Sequence, residues 1–67
     1  MNLRNAIIQN LHGQNENQLS ATIQDAVAQG EEKTLPGLGV MFELFWKNSQ
    51  NDEKQVVLQK MASALQS

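Results

Sequence analysis

The chain has 67 residues, no cysteine and a formal net charge of −2. That length leaves room for one domain, spanning residues 1–67, whose core supplies only about 3–5 kcal/mol without staples. The absence of cysteine excludes disulfides and thiolate metal sites and fits a reducing interior, while five scattered basic residues (Arg4, Lys33, Lys47, Lys54 and Lys60) argue against gripping nucleic acid by neutralising phosphates.

The N-terminus, MNLRNAIIQN, has a single arginine and no long apolar stretch, so it does not read as a secretory signal. Leu3, Ile7 and Leu11 instead recur every four residues with Ala6 and Ile8 beside them, which predicts an amphipathic helix from about Asn2 to Leu11. Gly13 follows as its stop, where a left-handed conformation costs glycine little.

Asn15 opens the next element, and Gln18 three residues on makes an Asn-x-x-Gln variant of the capping box. Leu19, Ile23, Ala26 and Val27 line one face of a helix over Glu16–Gln29, and Gly30 ends it. Glu31–Leu35 reads as the longest connection.

The third element holds the only proline, both phenylalanines and the only tryptophan. Pro36 has a fixed φ and no N–H, so it suits the first turn of a helix over about Pro36–Asn48. Leu35 before it is biased toward extended geometry and is the expected cap, with Thr34 as the cap if the helix starts one residue earlier. Glu31 and Glu32 lie where the helix dipole favours carboxylates. On a helical wheel Leu38, Met41, Phe42 and Phe45 share a face, Leu44 and Trp46 flank it, and Glu43 and Lys47 mark a polar stripe at a favourable spacing of four. A helix this apolar is normally central, and it is too short for a bilayer, which needs about 20 apolar residues.

Ser49-Gln50-Asn51-Asp52 is a polar break, with Ser49 or Asn51 as the expected cap and Asp52 and Glu53 in the first turn of a last helix. Val57, Leu58, Met61 and Leu65, widened by Ala62, are its expected buried stripe. No segment alternates with period two, so the fold class is all-α: a small bundle of about four short helices around a central apolar one.

No constellation spells out a chemistry. His12 has no Cys or Tyr to partner it, and Ser20, Ser49, Ser63 and Ser67 sit in no nucleophile motif; His12 reads as a helix-end residue interacting with the last carbonyls. The adjacent acids fall at helix starts, and none approaches calcium-loop spacing. No catalytic, metal or cofactor residues are expected. Gly37-Leu38-Gly39 leaves three readings open: close approach of another backbone, contact with a partner, or an anion on free N–H groups. The anion reading lacks the preceding strand and the Lys-Ser/Thr of a phosphate loop. Two helical glycines cost about 1 kcal/mol each against alanine, which singles out Leu35, Pro36, Gly37, Leu38 and Gly39 as a candidate interaction turn. Phe42, Phe45 and Trp46 are needed for the core, and Trp46, at the edge of the apolar arc, joins the candidate interaction residues. Asn and Gln number sixteen, more than the charged residues, without clustering into a prion-like tract.

The stretch EEKTLPGLGVMFELFWK, together with Thr22, Ile23, Asp25 and Ala26 and the opening Leu3, Arg4, Ala6, Ile7 and Ile8, resembles the small acid-soluble spore protein I family of Bacillus-type spore formers. The resemblance runs from Leu3 to about Leu65. It is most specific at Glu31-Glu32-Lys33, Leu35 to Val40, Phe42-Glu43 and Trp46-Lys47, and loose in the last helix and around Gln14–Gln18. It implies a small protein of the spore core (the forespore cytoplasm) and does not imply a catalytic activity; the short apolar run gives no expectation of a membrane partner. DNA-coating and storage-type spore proteins carry a protease-recognition segment, Glu-Ile/Phe-Ala-Ser-Glu; the nearest stretch here, Met61-Ala62-Ser63-Ala64, lacks both acids, so neither DNA protection nor programmed degradation carries over from them. The expected function is non-enzymatic, through protein interaction or as a structural component. The alternative is an amide-rich amino-acid reserve degraded on germination, and nucleic-acid binding stands behind both. The expected partner is an unidentified protein or, since so short a chain gains stability by covering its central helix, a second copy in a homodimer.

Overall fold

The computed structural model describes residues 2–66. It is all-α: α1 (Leu3–Leu11), α2 (Glu16–Gln29), a 3-10 turn (Glu32–Thr34), α3 (Leu35–Lys47) and α4 (Asn51–Leu65). Among the described residues there is no strand. Met1 and Ser67, the latter one of the serines considered beside His12, lie outside the described residues.

Local chemistry sets the helix ends. Asn2 caps α1 from outside it, its side chain accepting the Asn5 N–H at 3.2 Å. The capping box at α2 is formed as the sequence predicts: Asn15 Oδ1 accepts the Gln18 N–H, and Gln18 Oε1 accepts the Asn15 N–H, both at 2.9 Å. Gly13 and Gly30 have φ of 86° and 60° and stop α1 and α2 in the left-handed region.

Two caps differ from expectation. Leu35 is not extended before Pro36 but helical, with φ −60° and ψ −42°. Its N–H donates to Glu32 O within the 3-10 turn, which holds it in the helical well against the bias that proline imposes. The 3-10 turn thus runs straight into α3, with Thr34 at the cap position. The Thr34 hydroxyl points back instead of capping and donates to Glu31 O at 2.8 Å. At α4 the cap is Gln50, not Ser49 or Asn51: the Glu53 carboxylate accepts the Gln50 N–H at 2.8 Å, while the Ser49 hydroxyl donates to Phe45 O.

α3 is central, and α1 and α2 both pack on it. Its faces are divided otherwise than the wheel suggests. Val40 is the only buried apolar residue among those described, 9% exposed, although it lies off the predicted face. Pro36, Gly39, Val40 and Glu43 lie beside Leu3 and Ile7 of α1. Leu38 and Met41 lie beside Leu11, Thr22 and Ala26 of α1 and α2. Phe42 and Trp46 turn toward α4. Each neighbour thus takes its own side of α3, and no single face is deeply covered.

The predicted stripes on α2 and α4 are corrected in the same way. Ile23 and Val27 are exposed, while Leu19, Thr22 and Ala26 are half-buried. The contact edge of α2 is rotated toward Thr22, whose hydroxyl donates to Gln18 O at 3.0 Å and lies 3.1 Å from Gln14 Oε1. On α4, Leu58, Met61 and Leu65 are exposed, because no other helix packs extensively against α4.

Candidate interaction surface

The six candidate residues do not converge on one patch. Ten residues separate Pro36 from Trp46, which at the rise of an α-helix is about 15 Å. The Leu35–Gly39 turn borders α1 and α2, whereas Trp46 faces α4.

At the turn, Leu35 and Pro36 are exposed, and Gly37 and Leu38 are half-buried. Pro36, Gly37 and Leu38 help to line an open cleft of about 410 Å³ together with Leu3, Ile7 and Met41. The structure overturns close backbone packing within the chain as the reason for the two glycines. A Cβ built on Gly37 or on Gly39 meets nothing within 4 Å. Both have ordinary helical backbones, since the positive-φ glycines are Gly13 and Gly30. Neither conformation nor intramolecular space therefore asks for glycine here. An anion is disfavoured too, because Glu31 and Glu32 stand just ahead of this helix start, and only Lys33, 3.2 Å from Glu31, offsets them.

At the other end, Phe42, Trp46, Leu58 and Met61 wall a cleft of about 340 Å³, with Glu43 and Lys47 at its rim. The Phe42 and Trp46 rings are stacked, 5.8 Å between centroids. Phe45 tilts against Phe42 at 6.0 Å. Lys54 Nζ lies 4.9 Å over the Trp46 ring, a cation–π contact that ties the first turns of α4 to α3. The aromatic cluster is therefore half wall and half core: Phe45 and Trp46 are half-buried, while Phe42 is exposed.

Among the described residues, one ion pair links two helices. Arg4 on α1 reaches Glu43 on α3, with Nε 2.7 Å from Oε2 and Nη2 on the same oxygen. Lys47 Nζ is 3.8 Å from the other oxygen, Oε1, in the predicted four-residue pairing. The Arg4 hydrogen bond, with the positive charges of Arg4 and Lys47, holds the Glu43 carboxyl below the usual carboxylate range, against an opposing effect of desolvation. Sequence reasoning missed this pair because 39 residues separate its members. It missed Leu58 and Met61 as cleft walls for a different reason: their spacing marks an apolar stripe but not its angle to α3.

The other polar candidates serve their own helices. His12 is the exposed C-cap of α1, where its backbone N–H donates to Gln9 O at 3.3 Å. Ser20 Oγ accepts from Gln24 Nε2 at 2.9 Å, and the Ser49 hydroxyl is committed to Phe45 O. Among the described residues, no helix is long and apolar enough to cross a membrane, and no three acidic or histidine side chains group as metal ligands would.

Comparison with known proteins gives one consistent result. Residues 1–65 match the model of the family described as small, acid-soluble spore protein I. The chain is 49% identical over 65 residues to a protein of that name from Halalkalibacterium halodurans, covering 97% of this chain and 96% of the relative. It is likewise 49% identical over 65 residues to one from Bacillus velezensis, covering 97% and 92%, and 48% identical over 64 residues to one from Bacillus cereus, covering 96% and 93%. No solved structure matches. On a match along nearly its whole length, the chain belongs to the small, acid-soluble spore protein I family.

Proposed function

We propose that the protein is a non-enzymatic component of the spore core that acts by contact with another protein surface through α3. The observation that carries this reading is the apolar cleft beside Trp46, whose walls Phe42, Leu58 and Met61 stay about 40% exposed. An apolar face left open on a helix pair is the kind of surface that a partner covers. The Leu35–Gly39 turn, with open space beside both glycines, offers a second contact at the opposite end of the helix. The absence of catalysis is supported by the polar chemistry: the His12 ring stands exposed at a helix end, and the Ser20 and Ser49 hydroxyls are used within their own helices.

The test is capture from dormant-spore extract with the wild-type chain and with Trp46→Ala, together with quantitative mass spectrometry of growing cells, dormant spores and germinating spores. A spore-confined, persistent protein that loses its captured partner in Trp46→Ala meets the expectation. Equal capture by both chains contradicts the role of the cleft. Turnover of a substrate by purified protein contradicts the non-enzymatic reading.

A second reading has its own observation. Sixteen Asn and Gln residues in a chain with a single buried apolar side chain among those described suit an amino-acid reserve, since little packing protects the backbone from proteases. Rapid loss of the protein at germination favours it, and survival of the intact chain removes it.

A further inference from the structure

The single chain is more open than its mass allows for a compact protein. Its accessible surface is 5574 Å², whereas a folded monomer of 7.5 kDa exposes about 4,250 Å². Its radius of gyration is 13.1 Å, against about 10.9 Å for a compact domain of this length. The excess, about 1,300 Å² per chain, is more than the roughly 800 Å² that each partner gives to a standard stable interface and falls within the range of obligate homodimers.

An unpartnered apolar surface lies along α4, which packs sparsely on the rest of the chain. Leu58, Met61 and Leu65 recur at helical spacing along α4, with Leu65 86% exposed. The first two face Phe42 and Trp46 across the open cleft.

We propose that a second copy of the chain fills this cleft, the two related by a two-fold axis that crosses α3 at the level of Phe45. The inference rests on the reading of the Trp46 cleft as a contact surface and names its occupant. With the α3 helices antiparallel, Lys47 of each copy meets Glu43 of the other, and Phe42 of each lies within two residues, about 3 Å along the axis, of Trp46 of the other. The rim chemistry selects this occupant. It carries one acid and one base, four residues apart; Arg4 takes one oxygen of Glu43, and the other is held only by Lys47 at 3.8 Å, a pairing that Lys47 of a second copy can share. A strongly charged partner of either sign would meet a like charge there, whereas the same rim turned by half a revolution is complementary to itself. The excess area is then removed by four helices, α3 and α4 from each copy, that share a core neither copy has alone.

Sedimentation equilibrium on the full chain, from about 1 µM to about 300 µM, tests the proposal. The expected result is a species of twice 7.5 kDa that dissociates on dilution, with Trp46 emission shifting to longer wavelength as it does. Leu58→Glu and Met61→Glu, at side chains exposed in the single chain, are expected to raise the dissociation constant about 30-fold or more. Lys47→Glu, which sets two carboxylates face to face at each end of the interface, is expected to raise it about tenfold. Should either glutamate substitution on α4 lower the helix content, Lys47→Glu decides alone, and an unchanged dissociation constant overturns the proposal. A dimer that keeps its affinity in folded Leu58→Glu and Met61→Glu also overturns it. So does a single mass of 7.5 kDa at every concentration. If that monomer still captures a different protein through Trp46, this inference fails and the interaction reading stands; if it captures nothing, both fail.

Discussion

Gly37 and Gly39 are the residues whose chemistry is least explained by the chain itself. A helical glycine with free space at its Cβ position is a stability cost without an intramolecular return. Gly37→Ala and Gly39→Ala are therefore expected to raise the unfolding free energy by about 0.4–1 kcal/mol each in urea melts, through a less flexible unfolded chain and a better helix. Loss of stability would mean that the space is occupied. If the turn is a contact, the same two variants weaken capture while strengthening the fold, and that pairing of effects separates binding from packing. Glu43 gives a pH signature at the same scale. Because its folded-state carboxyl titrates below its unfolded value, its contribution is complete above the ordinary carboxylate pKa of about 4.3 and is lost as pH falls through the lower folded value. The expected outcome is that Glu43→Gln lowers stability in urea melts at pH 7 and that the gap between variant and wild type narrows steadily as pH falls below about 4.3. A gap that does not change with pH in that range would assign the effect to shape rather than charge.

At the scale of elements, what is written in the sequence is what is decided within four residues. The Asn15–Gln18 box and the stops at Gly13 and Gly30 are local, and the structure forms all three as read. Asn15→Ala is accordingly expected to cost about 1 kcal/mol in thermal or urea unfolding, while Asn17→Ala, one turn position away and outside the box, serves as its control. The misread caps are also local, but they turn on competition. Ser49 is a good cap by type, yet Phe45 O takes its hydroxyl, and the Glu53 side chain then selects Gln50. Leu35 follows the 3-10 turn rather than the proline after it. What the sequence does not show is which neighbour meets which side of α3. The wheel groups apolar residues by angle, and it found the helix to be central, but Val40 became the buried residue because α1 settled on the side of Pro36 and Glu43. For the same reason the candidate turn and Trp46, grouped by type, end up on different surfaces, and the cleft gained Leu58 and Met61.

At the scale of the whole molecule, attachment is uneven. α1, α2 and the 3-10 turn surround the first half of α3, while α4 is held at its start by Lys54 over Trp46 and runs outward from there. Amide exchange in dilute solution is expected to release the last turns of α4, from Met61 onward, well before the middle of α3, because a helix with few packed contacts opens at low free energy. Equal protection along both helices would contradict this picture. The single buried valine has a further consequence. Proteins leave solution in strong acid when unfolding exposes a large apolar interior that then finds its like in other chains. Here no side chain among the described residues is fully buried, so unfolding adds to apolar surface that is already partly open. Protonating the seven acids and the one histidine leaves six positive side chains and no negative ones, so the opened chains repel each other. On this reading solubility in acid, the property in the name of the family, is the expected consequence of an interior that is partly open before it unfolds.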